Sequence, residues 1–286
     1  MIAIRPLIMG ILNMTPDSFS DGGAHPDLDA AVAHAAAMIA DGADIIDVGG
    51  ESTRPGAVRV DADVEMQRVL PVIGELVSMG ARVSIDTMNA RTADAAASRG
   101  VDMINDVSAG AADPDMARVA AANALTFIAM HSRGASDAPA DYADIVADVT
   151  RDLSASVRML TARGVSPARI VLDPGLGFAK TAEQSWRLVG AIDKLRTLGH
   201  PVLVGASRKR FLATVMPAHA SVSDRDAPTA IITALAADSG AWAVRVHDVA
   251  GSKLALDVWS AARGSGAAVG APSGARPGGT STGAPS

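Results

Sequence analysis

The amino-acid sequence predicts an α/β fold, a single (β/α)8 barrel, and three observations support that prediction. Eight apolar, strand-like runs each end in a polar residue, these ends recur about every 20 to 45 residues, and a helix-compatible stretch separates most neighbouring runs. Eight βα units are typical of a barrel whose chemistry lies at the carboxyl ends of its strands. The polar ends are Asn13, Asp47, Asp86, Asn105, His131, Asp173, Ser207 with Lys209, and Arg245 with His247.

The strands are predicted from their composition. In chain order the runs are LIMGIL, ADII, RVSI, VDMI, TFIAM, RIVL, PVLVGA and WAV. They are almost continuously apolar, as expected for parallel strands that are covered on both faces. A buried parallel sheet is therefore expected.

Helices are predicted where apolar residues recur three and four positions apart. In the first helix Leu28, Val32, Ala35 and Ile39 follow this spacing, and Gly42 is a stop signal. The second contains Pro71, which must either kink the helix or lie near its start. The predicted helices span 27–40, 61–77, 142–160, 183–198, 208–215, 228–239 and 252–262.

Composition limits the possible functions of the chain. Its 286 residues can hold one barrel, which needs about 250, and 49% of them are hydrophobic. A net charge of −6 argues against a nucleic-acid partner or an anionic membrane surface. The chain has no cysteine, which excludes disulfides, zinc thiolates and a cysteine nucleophile. The first apolar run is too short to span a membrane and lacks a signal-peptide layout, so a cytoplasmic location is expected.

Domain organisation follows from a change in composition near the end of the chain. From 264 to 286 the residues are Gly, Ala, Ser, Thr and Pro apart from Val269 and Arg276. Such a segment has too little apolar surface to offset its ordering entropy. The predicted organisation is one barrel over 1–263 and a disordered, low-complexity tail over 264–286.

Two long polar segments follow the first two strands. NMTPDSFSDGG begins at Asn13, and DVGGESTRPGA spans 47–57. A simple βα connection needs about 2–6 residues, so segments of this length indicate functional loops. The alternative for either loop alone is a solvated surface excursion.

Three of the polar strand ends, two carboxylates and one amide, are candidates for binding one ligand. Asp86, Asn105 and Asp173 would each be costly to bury without hydrogen-bond partners. Each alone could instead cap the following helix. Together, two carboxylates and a carboxamide can match the donor–acceptor edge of a flat heterocycle. His131 also ends a strand but has no obvious partner in the sequence.

The last two strand ends are rich in cations. GASRKRF places Ser207 and Lys209 at the start of a predicted helix, where cations oppose the helix dipole. An anionic or electron-rich ligand would compensate these cations. In VRVHDV, Arg245 and His247 lie two apart and so point the same way. Unpaired buried arginine is rare and barrels often bind phosphate after strands seven and eight, so this pair is interpreted as an oxyanion clamp.

Taken together, NMTPDSFSDGG, DVGGESTRPGA, SIDT, IND, DPGLGF, GASRKRF and RVHDV resemble the dihydropteroate synthase family of folate biosynthesis. The motifs occur in the family's order from about Ile8 to Val249, and as a set they are highly specific. Residues 112–170 carry fewer diagnostic positions, and the tail has no counterpart in the family.

The resemblance implies a transferase that condenses 6-hydroxymethyl-7,8-dihydropterin diphosphate with 4-aminobenzoate, giving 7,8-dihydropteroate and pyrophosphate. The pterin-binding residues it implies are Asp86, Asn105, Asp173 and Lys209. The diphosphate-binding residues it implies are Asn13, Arg245 and His247, with Mg²⁺ near Asn13. The residues implied for the aminobenzoate are Phe19, Thr53, Arg54, Pro55, Phe178 and Ser207. Those implied to act in catalysis are Lys209, Arg245, His247 and Asp86.

The required chemistry agrees with these residues. A neutral aryl amine needs no strong general base, whereas the anionic leaving group needs electrostatic stabilisation and the electrophilic methylene needs shielding from water. The resemblance also implies that sulfonamides compete with 4-aminobenzoate, and apolar helices near the C-terminal end make a homodimer an expectation. Two alternatives are a methyltetrahydrofolate-to-corrinoid methyltransferase domain, which needs no diphosphate clamp, and a non-catalytic pterin-binding module.

Overall fold

A computed structural model describes residues 4–15, 26–51, 60–134, 140–263 and 268–269 of the protein. In this part of the chain, eight parallel strands form a barrel surrounded by helices, which confirms the predicted fold class. The barrel strands are β2 (Leu7–Asn13), β3 (Ile45–Gly49), β4 (Val83–Asp86), β5 (Met103–Asp106), β6 (Thr126–Met130), β7 (Ile170–Asp173), β8 (Leu203–Val204) and β9 (Ala243–Val246).

The barrel closes between β7 and β8. The continuous ladder runs in the order β7-β6-β5-β4-β3-β2-β9-β8, so its two ends are strands adjacent in the chain. Leu172 forms a parallel bridge with Val202, and its N–H donates to the carbonyl of Pro201 at 2.9 Å. Closure brings all eight strand ends to one rim.

The helices lie outside the barrel, mostly where the sequence predicts them. Their bounds are α1 (Pro26–Ala40), α2 (Ala62–Ser78), α3 (Ala90–Ala97), α4 (Met116–Ala122), α5 (Ile145–Ala162), α6 (Ala182–Val189), α7 (Ile192–Arg196), α8 (Asp226–Asp238) and α9 (Val249–Ala262). Helix α2 continues through Pro71. The alanine-rich α3 and α4 were not among the predicted helices.

Several predicted helix bounds were wrong because local capping and glycine decide where a helix ends. Helix α5 begins at Ile145 instead of residue 142, since the Asp144 side chain accepts from two backbone N–H groups of the first turn. The single helix predicted over 183–198 is two, separated at Gly190. The helix predicted over 208–215 is a 3-10 helix, Arg210–Val215.

The structure has two apolar layers. The larger lies between the strands and the surrounding helices. The smaller fills the amino-terminal half of the barrel interior, and its members are Leu7, Met9, Ile45, Met103, Ile128, Val171, Leu203 and Ala243. Because side chains alternate along a strand, the residues two positions further on also face inward. Several of these next residues are polar and form a second layer at the carboxyl-terminal end of the barrel.

Within the segment predicted to be disordered, one short pairing is present. Ala268–Val269 (β10) pairs in parallel with Ile4–Arg5 (β1). The other residues of 264–286 lie outside the described part of the chain, so their disorder stays a prediction. No helix in the described part is long and apolar enough to cross a membrane.

Candidate active site

A polar layer lies directly above the apolar layer of the barrel interior. On β3, β5, β7 and β9 the apolar residue is followed two positions later by Asp47, Asn105, Asp173 and Arg245. The ladder register places Asp47 beside Ile11, Asp86 beside Asn105, and Arg245 beside Met9. Tertiary closure thus collects carboxylates, an amide and cations at the carboxyl-terminal end.

Arg245 lies at the centre of this layer and is paired within the chain. Its Nε donates to Asp47 Oδ2 at 2.6 Å, and its Nη2 donates to Asp86 Oδ2 at 2.7 Å. Asn105 Nδ2 donates to the same oxygen of Asp47 at 2.9 Å. Strands distant in sequence therefore supply two carboxylates to Arg245, and its interpretation as part of an oxyanion clamp stays a prediction.

Burial disfavours the charged forms of the groups in this network. Burial raises the pKa of Asp86 to about 7, with Arg245 acting to lower it and Asp47 acting to raise it. Burial alone would lower the pKa of Arg245, but the carboxylates of Asp47 and Asp86 outweigh burial and raise it. Arg245 is therefore a permanent cation, whereas Asp86 changes its charge near neutral pH.

Asp173 and Lys209 form the second charged part of the layer. Asp173 Oδ1 accepts the N–H of Gly175 at 2.7 Å, and burial raises the pKa of this carboxyl. Burial lowers the pKa of Lys209 to about 8, although Asp173 opposes that shift. Lys209 Nζ lies 4.6 Å from the centroid of the Phe178 ring, a cation–π contact.

Two glycines lie close to these side chains. A Cβ placed on Gly205, just after β8, would lie 3.5 Å from Asp173 Oδ2 and 3.8 Å from Lys209 Nζ. A Cβ on Gly49 would lie 3.7 Å from Asp86 Oδ2 and 3.8 Å from Asn13 Oδ1. A side chain at either position would therefore be in van der Waals contact with the charged layer.

Ser207 and His247 contact each other. Ser207 Oγ lies 2.9 Å from His247 Nδ1 and accepts the His247 N–H at 3.0 Å. The hydroxyl has one proton and two acceptor sites, so it donates to Nδ1 when the imidazole proton is on Nε2 and accepts from Nδ1–H in the other tautomer. The family resemblance assigns these two residues to different ligands, whereas in the structure they are neighbours.

The compensation predicted for the GASRKRF cations was partly wrong. Arg208 donates from Nε and Nη2 to the two carboxylate oxygens of Asp226, both at 2.7 Å. Lys209 has Asp173 as an attractive charge. Carboxylates of the chain itself therefore compensate two of these cations without a bound anion. Arg210 is exposed.

A further buried network adjoins Asp173 and was not predicted. Lys180 Nζ donates to the carbonyls of His131, Gly175 and Phe178 at 3.3, 3.0 and 2.9 Å. Burial and the charge of Lys209 lower the pKa of Lys180 to about 7. These hydrogen bonds of Lys180 connect the turn that carries Asp173 and Phe178 to His131 at the end of β6.

His131 has a partner that the sequence did not reveal. Its Nε2 lies 3.2 Å from Asp152 Oδ2, which also accepts from Arg133 Nε at 2.7 Å. Burial and the nearby Lys180 lower the pKa of His131 to about 4, so the ring is neutral at pH 7 and its contact with Asp152 is a hydrogen bond. His131 is connected to the site through its carbonyl, which accepts from Lys180.

Asn13 is the residue proposed near a metal ion. It ends β2, is partly exposed, and directs Oδ1 toward the space beside Asp86. In the described part of the chain no three His, Cys, Asp or Glu side chains form a metal-binding group. A carboxamide oxygen beside a carboxylate suits Mg²⁺, which is commonly held by one or two protein oxygens with water and substrate phosphates. The residues present therefore fit that ion.

Four of the predicted site residues lie outside the described part of the chain: Phe19, Thr53, Arg54 and Pro55. Two residues were missed as site members, Asp47 and Lys180. Asp47 was recognised only as a strand end, although its place two residues after an inward apolar residue was an available signal. Lys180 follows DPGLGFA directly, and nothing in the sequence indicated that it folds back on that motif.

Comparison with known proteins adds independent evidence. The family profile described as "Pterin binding enzyme" matches residues 9–247. A dihydropteroate synthase of Mycobacterium leprae (strain TN) is 50% identical over 88% of this chain and 91% of that protein.

Solved structures give the same result. The Xanthomonas albilineans dihydropteroate synthase with 4-aminobenzoic acid is 42% identical, with a TM-score of 0.85 over 91% of this chain and 93% of that chain. The Yersinia pestis dihydropteroate synthase with a sulfonamide drug is 35% identical, with a TM-score of 0.85 over 91% and 95%. The chain therefore belongs to the pterin-binding enzymes and, among them, to the dihydropteroate synthases.

Proposed function

We propose that the polar end of the barrel interior holds both substrates of this enzyme side by side. As a dihydropteroate synthase, the chain condenses 6-hydroxymethyl-7,8-dihydropterin diphosphate with 4-aminobenzoate, producing 7,8-dihydropteroate and pyrophosphate. The contact of Lys209 with Phe178 carries the proposal, because it joins a residue assigned to the pterin to one assigned to the aminobenzoate. The methyltransferase and non-catalytic alternatives have no comparable support.

The pterin ring is assigned to the space beside Gly205. Asp173 Oδ2 and Lys209 Nζ border this space, and Asp86 with Asn105 lies across the barrel. Carboxylate oxygens can accept from the amino groups of the pterin edge, while the ammonium of Lys209 can donate to ring acceptors. The buried surroundings strengthen each of these bonds relative to water.

The diphosphate is assigned to Asn13, Arg245 and His247. Arg245 uses two of its five N–H groups on Asp47 and Asp86, so it can still donate to a ligand. His247 presents Nε2–H when Ser207 donates to Nδ1. Asn13 would hold Mg²⁺ together with phosphate oxygens. When bound, the ion would neutralise part of the diphosphate charge.

The aminobenzoate is assigned to Phe178 and Ser207 with Phe19, Thr53, Arg54 and Pro55 of the two long loops. The Xanthomonas relative is solved with 4-aminobenzoic acid and the Yersinia relative with a sulfonamide drug. A sulfonamide presents the same aryl amine with an electronegative group beyond it. We therefore propose that sulfonamides compete for this position in the present enzyme.

The proposed mechanism relies on charge placement. The C–O bond to the diphosphate breaks as the amine approaches, so negative charge grows on the leaving group beside Arg245 and His247. Asp86 and Asp173, when ionised, favour the positive charge that develops on the pterin methylene. We propose a dissociative, SN1-like displacement in which the loops exclude water from the electrophilic carbon.

Pyrophosphate release on mixing the two substrates tests the assignment of activity, and Arg245→Ala tests the clamp. We expect the variant to lose about 10- to 100-fold in affinity for the pterin diphosphate, because it removes a hydrogen bond between charged groups. Its loss for the same pterin without diphosphate should be smaller. The matched control is Arg118→Ala, because Arg118 is an exposed residue of α4. Equal losses for both ligands would show that Arg245 acts only through Asp47 and Asp86.

A homodimer is also proposed. Helices α8 and α9 pack together and expose large apolar side chains, namely Ile231, Leu235, Leu254 and Val258. An apolar patch on two packed helices is typical of a protein–protein interface. Sedimentation of wild type and Leu254→Asp tests this, since the charge should favour the monomer. The cytoplasmic location stays a prediction.

A further inference from the structure

Arg208 adopts a backbone conformation that arginine rarely takes. Its φ is +57°, in the left-handed region, and the other described non-glycine residues with positive φ are Ala109, Ala124 and Ala179. A side chain in that region is strained relative to glycine. Arg208 lies between Ser207, which contacts His247, and Lys209, which lies beside Asp173.

The start of α8 holds Arg208 in this conformation. Both carboxylate oxygens of Asp226 accept from its guanidinium at 2.7 Å. Arg225 Nη1 donates to the Arg208 carbonyl at 3.1 Å, and the Arg208 N–H donates to Thr229 Oγ1 at 3.4 Å. The side chain, N–H and carbonyl of one residue are therefore all held by one helix end.

The hydrogen-bonding partners of Arg208 are themselves held in place. Thr229 is buried, and its hydroxyl donates to the Arg225 carbonyl at 2.7 Å. Asp226 forms a planar, bidentate pair with the guanidinium, which gives direction as well as attraction. Strain that persists in a folded protein must be over-determined by its surroundings, and such strain concentrates at functional sites.

We propose that the Arg208–Asp226 pair is a positioning device for the reaction: it holds residue 208 left-handed so that Ser207 and Lys209 face the two substrates together. A change of φ at 208 would rotate the flanking residues relative to each other. Ser207 could then stay on His247 only if Lys209 left the space beside Asp173. The inference rests on the proposed assignment of Ser207 and Lys209 to the substrates.

The test compares alanine with glycine at position 208. Alanine, like arginine, disfavours a φ of +57°, and Arg208→Ala removes the ion pair that maintains it. Residue 208 should therefore leave the left-handed region, and calorimetric affinity for the pterin substrate should fall roughly tenfold. Arg208→Gly also removes the guanidinium but accepts φ +57° freely, so its affinity should stay within about twofold of wild type. Recovery by glycine separates the backbone conformation from the arginine side chain.

Asp226→Ala completes a double-mutant cycle. Alone it should resemble Arg208→Ala, whereas in the Arg208→Gly background it should add at most about twofold, because the conformation no longer depends on the pair. The KM for 4-aminobenzoate should rise with the pterin dissociation constant in the strained variants. The matched control is Asp44→Ala, which breaks the bidentate Arg5–Asp44 pair near the amino-terminal end of the barrel and should lower thermal stability only.

Two results would overturn the inference. Arg208→Gly binding the pterin as weakly as Arg208→Ala would show that the guanidinium itself matters and not the conformation it maintains. Normal affinity and KM in every variant, with a lower melting temperature alone, would make the pair purely structural. Wild-type protein that fails to bind the pterin would overturn the pocket assignment and this inference with it.

Discussion

The two halves of the barrel interior are built from the same strands but differ in polarity and in the energetic effect of burial. Met103 and Val171 belong to the apolar layer at the amino-terminal end, whereas Asn105 and Asp173 follow them by two residues at the opposite end. The side chains of the apolar half are at most 2% exposed. The polar half contains charges whose burial is unfavourable and whose pKa values burial displaces.

This difference shows how the barrel separates stability from function along a single strand. Apolar burial contributes about 25 cal/mol per Å² and requires only packing. Buried carboxylates also need specific charged or hydrogen-bonding partners, as Arg245 provides for both Asp47 and Asp86. The apolar half and the outer core therefore stabilise a site that is unfavourable in the absence of ligand.

The largest expected effect comes from the apolar half. Met103→Ala should lower the free energy of unfolding by about 2–5 kcal/mol, because it removes a buried side chain and leaves a cavity. Chemical denaturation measures this loss, and KM values well below the melting temperature should not change. Met79→Ala is the matched control, since Met79 is 52% exposed and Met103 is 1% exposed. A large change in KM for Met103→Ala would contradict the separation of the two halves.

The second effect comes from the polar half on β7. Asp173→Asn should weaken pterin binding by about 10- to 100-fold, because a charged acceptor becomes an amide that presents a donor to a donor. The melting temperature should not fall, since neutral asparagine is easier to bury. Calorimetric titration measures the affinity, and exposed Asp193→Asn is the control. Unchanged affinity would remove Asp173 from the pocket.

A third effect depends on pH. Folding raises the pKa of Asp86 from 3.8 to about 7, so the folded state binds the proton more tightly than the unfolded state. The stability this provides is present below 3.8 and is lost as pH rises through about 7. Asp86→Asn stays neutral, so the variant should be more stable than wild type at pH 8 and about equal at pH 4.

Melting temperatures from pH 4 to 8 measure that difference. Relief of about 1 kcal/mol corresponds to roughly 2–4 °C for a domain near this size. The variant should also lose turnover, as expected where a destabilised group serves function. A stability difference that does not vary with pH would show that folding does not raise the pKa of Asp86.

The smallest effect is expected at the end of the chain. Truncation after Val269 should leave the melting temperature unchanged, because the residues removed are almost all small or polar. Truncation after Arg263 also removes the pairing of Ala268–Val269 with Ile4–Arg5 and should cost at most about 1 kcal/mol, since a two-stranded pair is marginal. A larger loss in the first truncation would show that 270–286 packs on the barrel.

The sequence by itself determined the barrel and the polar residues that end its strands. Strand composition, helix periodicity and polar strand ends are local properties, so Asp86, Asn105, Asp173 and Lys209 could be chosen without coordinates. The misplaced helix bounds show the limit of these local signals. Whether Gly190 would divide a helix depends on the surrounding packing, which the 3.6-residue period does not reveal.

Only the tertiary structure decided which charges neutralise one another. Arg245 and Asp47 are 198 residues apart in the chain and meet because β9 and β3 both flank β2 in the closed barrel. The pairing of Arg208 with Asp226 likewise required the folded position of α8. Sequence patterns specify which way a side chain points, but a hydrogen bond also requires a distance, and distances between remote segments exist only once strand register and barrel closure are set.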